Sequence, residues 1–253
     1  MKCKICNNET SKVFDAKILN KHNVDYFLCT NCGFIQTVEP FWLEESYEEA
    51  INTTDTGILE RNFQLAKVTR VLFGYLFGKN EIYLDYAGGY GILVGLLREY
   101  GFNSRWADPF SENIFARGLE FKQEPIKAIT CFECFEHFAD PLMELEKMLS
   151  ISSNIFFSTL LFDGSKIPSS NWFYYGFEHG QHLSFYSLRT LKFLADKYKL
   201  YLYSNGKNLH LFSKKRINRW LFSLLLAMGK LLYFFQFDMV TVRLFKRNKQ
   251  NDN

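Results

Sequence analysis

The sequence predicts an α/β protein built on a mainly parallel sheet with helices on both faces, preceded by a small metal-bound ribbon and followed by a basic helical tail. Three observations lead there. Beyond Glu81, short apolar runs alternate with helical stretches, the pattern of strand–helix units that pair in parallel. The first of those strands runs into "LDYAGGYG", with glycines placed where a strand turns into a helix. Ahead of both lie two Cys-x-x-Cys pairs.

In chain order, residues 1–40 form the expected ribbon and 41–80 a helical lid or linker, while the sheet domain covers 81–214 and the tail 215–253. The acidic, aromatic stretch "PFWLEESYEEAINTTDTG" leads into a helix from about Leu59 to Leu76, whose apolar residues recur at three- and four-residue spacing. Strands are expected near 81–85, 104–107, 127–132 and 154–159, with two more near 200–204 and 208–213. Helices near 91–100, 111–118, 140–149 and 187–198 connect them. A chain of 253 residues suffices for one main core and a minor appendage. Its apolar fraction of 47% and charged fraction of 23% are those of a globular protein, and 18% aromatic residues is high.

Cys3 and Cys6, then Cys29 and Cys32, flank a 22-residue segment. Four thiolates at these spacings reach one tetrahedral Zn2+ and leave it no open position, which assigns that ion to folding and not to catalysis. A third pair, Cys131 and Cys134, begins inside an expected core strand, where residues three apart face opposite sides; these read as buried small residues. The start "MKCKICNNET" has no apolar signal-peptide core, which points to a reducing, cytoplasmic setting.

The glycine turn suits a phosphate or a nucleoside, because backbone amides and the positive helix end meet there. It lacks the Lys-Ser/Thr of a P-loop. Asp108 in "RWADPF", about twenty residues on, can accept both ribose hydroxyls, a spacing that suits either a dinucleotide or S-adenosylmethionine.

Asp85 with its glycine turn, Asp108 and "FECFEHFADP" together resemble the motifs of the class I S-adenosylmethionine-dependent methyltransferases, a Rossmann-like sheet whose last strand is antiparallel. The resemblance implies that Asp85, Ala87, Gly88, Gly89 and Gly91 form the turn beneath the methionine part of S-adenosyl-L-methionine, with Ala87 where that family has its first glycine. It implies that Asp108 holds the ribose and that Phe132 and Glu133 lie beside the sulfonium. Glu136 and His137 read equally as a charge cluster at a helix start or as part of that site. The ribbon, "SYEEAINTTDTGILERN" and "WFYYGFEHGQHLSFYS" narrow the resemblance to methyltransferases of bacterial sugar and surface-polysaccharide pathways, related to the sugar C-methyltransferases. A small sugar-type molecule is then the expected substrate, with the acceptor atom open among carbon, oxygen and nitrogen.

Methyl transfer is an in-line displacement, so the protein must align the acceptor and remove its proton. In the related enzymes a Glu-His pair in this last segment is implicated in catalysis. By resemblance this assigns His179 as general base and Glu178 as the residue that orients it, with His182 a second candidate. The same histidines can instead cap the loop through hydrogen bonds. Asp55, Thr56 and Arg61 suit either a lid over the cofactor or a solvated helix start.

From Lys214 to Asn253, nine Lys or Arg face two Asp around the apolar run Trp220–Phe235. That run is short for a membrane span. Its basic flanks fit a helix lying on an anionic membrane face, or one packed on the domain or on a second subunit. Basic residues that surround an apolar run do not form the polar stripe nucleic acid requires. Two further readings stay open, an NAD-dependent oxidoreductase on a similar sheet and a binding protein that keeps the fold without the chemistry.

Overall fold

The computed structural model describes residues 1–47, 56–164 and 166–234. The chain opens with β1 (Ser11–Ile18), β2 (His22–Leu28) and β3 (Ile35–Thr37), an antiparallel meander, followed by the short α1 (Leu43–Ser46) and the long α2 (Ile58–Leu76). Strand–helix units follow in the expected order: β4 (Ile82–Tyr86), α3 (Ile92–Glu99), β5 (Asn103–Ala107), β6 (Ala128–Cys131), α4 (Pro141–Ile151) and β7 (Ile155–Ser158). A long loop then reaches β8 (Ser184–Phe185), α5 (Leu188–Lys197), β9 (Tyr201–Ser204), β10 (Leu209–Ser213) and α6 (Arg219–Phe234).

The central sheet runs β5-β4-β6-β7-β10-β9. β4 pairs in parallel with β5 and β6, and β6 with β7, while β10 is antiparallel to both β7 and β9. Side chains alternate across it with the strand period of two. Tyr83, Ala128, Phe156 and Leu211 face the layer of α2, α3 and α6, whereas Leu84, Ile129, Phe157 and Phe212 face that of α4 and α5. Each fully buried phenylalanine contributes roughly 2–3 kcal/mol.

The second sheet runs β1-β2-β3-β8, so a strand of the long loop completes the ribbon through the pairs Ile35↔Phe185 and Gln36↔Ser184. Cys3, Cys29, Cys32 and Phe34 share a core with Phe135, Phe157, Tyr186 and Leu191, which fuses the ribbon to the α4–α5 face.

One expected element is absent. Residues 111–118 form turns, not a helix. Ile114 and Phe115 donate their amides to Tyr90 O, and Asn113 Oδ1 accepts that of Ala116, so a neighbouring turn and a side chain take donors a helix would direct to its own carbonyls.

The tail helix α6 has two faces. Phe222, Leu225 and Leu226 are buried against the α2 layer, and a Cβ at Gly229 would lie 2.5 Å from Val68 Cα, so glycine permits the close crossing. Trp220, Leu224, Met228, Leu231 and Leu232 face outward and are exposed. No helix of the described residues is long and apolar enough to cross a membrane.

Candidate active site

The carboxyl ends of β4, β5 and β6 carry the first half of the site. Gly89 (φ +53°) and Gly91 (φ +82°) hold the left-handed backbone the turn needs, and Gly91 starts α3. Ala87 adopts φ +56°, strained for a residue with a Cβ by roughly 1–2 kcal/mol. Gly88 is required by space, since a Cβ there would sit 2.7 Å from Asp85 Oδ2 and 2.9 Å from the Trp106 ring. Asp85 itself lies under the turn. It is 4% exposed, its Oδ1 accepts the Thr130 hydroxyl at 2.7 Å, and burial pushes its carboxyl up to about 7. It therefore braces the turn from below.

Asp108 is brought to the same place. Gly89 N–H donates to its Oδ2 at 2.9 Å, while Trp106 Nε1 donates to Gly89 O at 2.8 Å. A Cβ built on Gly89 meets nothing within 4 Å, so the turn opens onto free space beside a half-buried carboxylate. That space, flanked by backbone and by an acid at the strand end, fits a nucleoside whose ribose reaches Asp108. Phe132 and Glu133 part company. Phe132 packs edge-on against Phe156, with centroids 5.1 Å apart, toward the α2 layer. Glu133, at φ +51°, receives the Ser158 hydroxyl at 2.6 Å and faces Arg61 at 3.8 Å, a weak exposed pair. Asp55 lies outside the described residues.

The second half comes from the turn at Phe135–His137 and from the long loop. Leu183 N–H donates to Glu136 O at 2.8 Å and the Ser184 hydroxyl to Phe138 O at 2.7 Å, which lays His182 against His137. Their ring centroids are 4.8 Å apart, and His179 lies a further 4.8 Å from His182. Tyr47 donates or accepts at His137 Nδ1 across 3.0 Å, and its ring stacks on exposed Phe110, next but one to Asp108. Tyr47 and Phe110 thus link the two halves.

The three histidines are not equivalent. His182 Nδ1–H donates to Tyr174 O at 2.5 Å, so the lone pair of the neutral ring is on Nε2; burial holds this ring down to about 4, which keeps it neutral. His179 Nδ1 accepts the Gln181 amide at 3.1 Å, and its Nε2 is wedged against Gly176, where a Cβ would approach to 2.2 Å. Its accepting nitrogen is therefore already engaged. Glu178 is exposed, and the described hydrogen bond that orients His179 comes from the backbone of Gln181. Burial, then Glu133, raises the Glu136 carboxyl to about 8. Burial also holds His137 well below its ordinary value.

The four amino-terminal sulfurs all lie within 4.8 Å of one another, with Cys3–Cys32 at 3.5 Å and Cys6–Cys29 at 3.3 Å. Tetrahedral bonds of ~2.3 Å to zinc demand separations of about 3.8 Å, so this group could hold a metal ion. Ile5 N–H donates to Cys3 Sγ at 3.4 Å, and Gly33 (φ +72°) closes the second knuckle. Cys131 and Cys134 are both buried.

Residues 59–205, more than half of the chain, match the methyltransferase-domain family. The chain belongs to that family. It is an S-adenosylmethionine-dependent methyltransferase, and the dinucleotide alternative falls with this assignment. Among solved structures, an O-methyltransferase family protein from Burkholderia thailandensis is similar at a TM-score of 0.50 and 9% identity, over 72% of this chain and 65% of that one. The plantazolicin methyltransferase BpumL, solved with S-adenosylhomocysteine, is similar at 0.44 and 14%, over 68% and 89%. The magnesium protoporphyrin IX methyltransferase of Synechocystis PCC 6803, also with S-adenosylhomocysteine, follows at 0.40 and 11%, over 67% and 92%. No curated protein sequence matches this methyltransferase.

Sequence reasoning passed over Tyr47 and Phe110. Their only signal is aromatic character in polar surroundings, which becomes informative once Asp108 and His137 are seen to flank them.

Proposed function

We propose that this methyltransferase moves the methyl group of S-adenosylmethionine to a small sugar-type acceptor in surface-polysaccharide or related metabolism. One observation carries the arrangement: an open glycine turn with Asp108 at one end and the His137–His182 pair at the other, joined by the Tyr47–Phe110 stack. Asp108 would take the ribose, and Gly89 and Gly91 would leave room for the methionine part. The cofactor supplies a methyl group already activated by positive sulfur. The acceptor would lie against Tyr47 and Phe110, its reactive hydroxyl or acidic C–H toward His182, whose Nε2 has the free lone pair to take the proton. His179, with its accepting nitrogen occupied, fits a positioning role beside it. The sugar class rests on the resemblance of the segment 172–187 and the ribbon to sugar-pathway methyltransferases.

Two accessory features belong to the same reading. The four sulfurs hold one structural Zn2+. The outward row of α6, bordered by exposed Lys214, Lys215, Arg216, Arg219 and Lys230, rests on an anionic membrane face at the cytoplasmic side, where a lipid-linked sugar would be met. The deciding experiment is transfer of labelled methyl from S-adenosylmethionine into a crude sugar-nucleotide or glycolipid extract. S-adenosylhomocysteine should raise the melting temperature and NAD should not; a shift with NAD alone would overturn the donor assignment.

A further inference from the structure

Outside the cysteine group, a second set of metal-ligand side chains converges at the acceptor end of the site. One ligand atom from each of Glu136, His137 and His182 lies within 4.8 Å of the other two. Glu136 is 1% exposed, and its Oε2 is among the few buried side-chain atoms of the described residues with no hydrogen-bond partner. Buried carboxylate oxygens are normally satisfied, so a carboxyl with one bare oxygen beside two imidazoles has capacity left for a further partner.

Both rings are already fixed in the way metal-bound histidines are. His182 Nδ1–H donates to Tyr174 O at 2.5 Å, and His137 Nδ1 shares a hydrogen bond with the Tyr47 hydroxyl at 3.0 Å. Partners on one ring nitrogen orient the other toward an ion and raise its basicity. The backbone is equally constrained. Leu183 N–H to Glu136 O ties the two ligand segments together, and the Asp140 cap with Pro141 anchors the start of α4 just beyond.

We propose that Glu136, His137 and His182 bind one divalent first-row transition cation, at a site distinct from the four sulfurs. Two imidazoles and a carboxylate suit such an ion and leave positions open. Oxygen atoms of an acceptor lying on the Tyr47–Phe110 stack are placed to fill them. That use of the cation rests on the methyl-transfer reading; the site itself does not. A cation and a proton compete for Nε2 of His182, so the free-base role of this residue belongs to the metal-free enzyme.

Mn2+ separates the two ligand groups, because it favours oxygen and nitrogen donors over thiolates. The full-length protein, with its cysteine group loaded and loose cations dialysed away, is titrated with MnCl2 while free Mn2+ is read by its paramagnetic resonance signal. One Mn2+ per chain is expected for the wild type and for His179→Ala, with binding weaker by at least about tenfold in Glu136→Gln and His182→Ala. No binding by the wild type up to about 1 mM overturns the site. So does wild-type affinity in both ligand variants. The wild-type titration needs no variant, so a substitution that prevents folding leaves the proposal exposed to it. S-adenosylhomocysteine binding in the same samples keeps the readings apart: normal cofactor binding without Mn2+ removes the cation site alone, and Mn2+ binding without cofactor binding supports the site while it removes the methyl-transfer reading.

Discussion

The cysteine group and the histidine–glutamate group are both compact ligand sets, yet the chain assembles them differently. Cys3 with Cys6, and Cys29 with Cys32, are each made by a single tight knuckle, and one β-hairpin joins the two. Glu136 and His137 meet His182 across 45 residues of chain, through hydrogen bonds from Leu183 and Ser184 that no local pattern announces. The first group is specified by spacing, the second by tertiary structure. Damage to a knuckle should therefore be felt first in stability and only through it in function, whereas damage to the histidine group should be felt in function directly.

The largest effect that tests this difference is Cys29→Ser. It should abolish the metal binding proposed for the ribbon and lower stability by ~4 kcal/mol or more, because Cys29 is buried in the core shared with Phe135 and Phe157. Metal content and melting temperature read it, and a variant that keeps its metal and melts like the wild type would break the structural side of the comparison. Next comes His182→Ala, expected to slow transfer by about 10² to 10⁴, roughly 3–5 kcal/mol of barrier, with unchanged S-adenosylhomocysteine affinity. His179→Ala and Glu178→Gln should each keep more than about a tenth of the rate. If His179→Ala is the crippled variant, neighbours in sequence do the chemistry after all.

His210 supplies a control within the same sheet. It is fully buried, donates through Nε2 to Thr159 O at 3.0 Å and accepts at Nδ1 from the Ser204 hydroxyl at 2.8 Å, so both nitrogens are satisfied. Burial holds it down to about 4. The unfolded chain, with a histidine near 6.5, then binds more protons than the folded one between these values, and stability falls as pH drops through that window by about 3 kcal/mol. His210→Gln should flatten this part of the pH–stability curve in denaturant titrations, and an unchanged slope would locate the acid sensitivity in His137 and His182. Smallest is Gly88→Ala, whose Cβ must displace Asp85 or Trp106; about 1–3 kcal/mol of stability should be lost, measured by thermal melting.

The strand–helix alternation was readable because the inner strands β4, β6, β7 and β10 are buried on both faces and the helices between them carry apolar stripes. The segment 111–118 misled because Tyr90 O and the Asn113 side chain take its amides, contacts that composition alone does not reveal. That the glycine turn and Asp108 lie side by side was legible for a geometric reason. Parallel neighbours β4 and β5 end in register, Tyr86 opposite Ala107, so residues just beyond them must meet. Glu178 and His179 illustrate the opposite case. Adjacency in sequence put them together, whereas the turn at Gly176 and Gly180 leaves Glu178 exposed and hands His179 to a backbone amide.

The pairing of β8 with β3 gives the ribbon a reach beyond its own fold. His182 stands two residues ahead of β8, so the segment that carries it is ordered by an edge strand that pairs with β3, itself paired to the β1–β2 hairpin. Thermodynamic linkage would then make any ion gripped by the four sulfurs a silent partner in the proposed transfer, since free energy gained there favours the state in which the loop is docked. A cell short of that ion would hold a chain still able to carry its nucleoside on the central sheet while its acceptor end came loose. Metal supply would set the fraction of competent enzyme, from a distance and without touching a reacting atom.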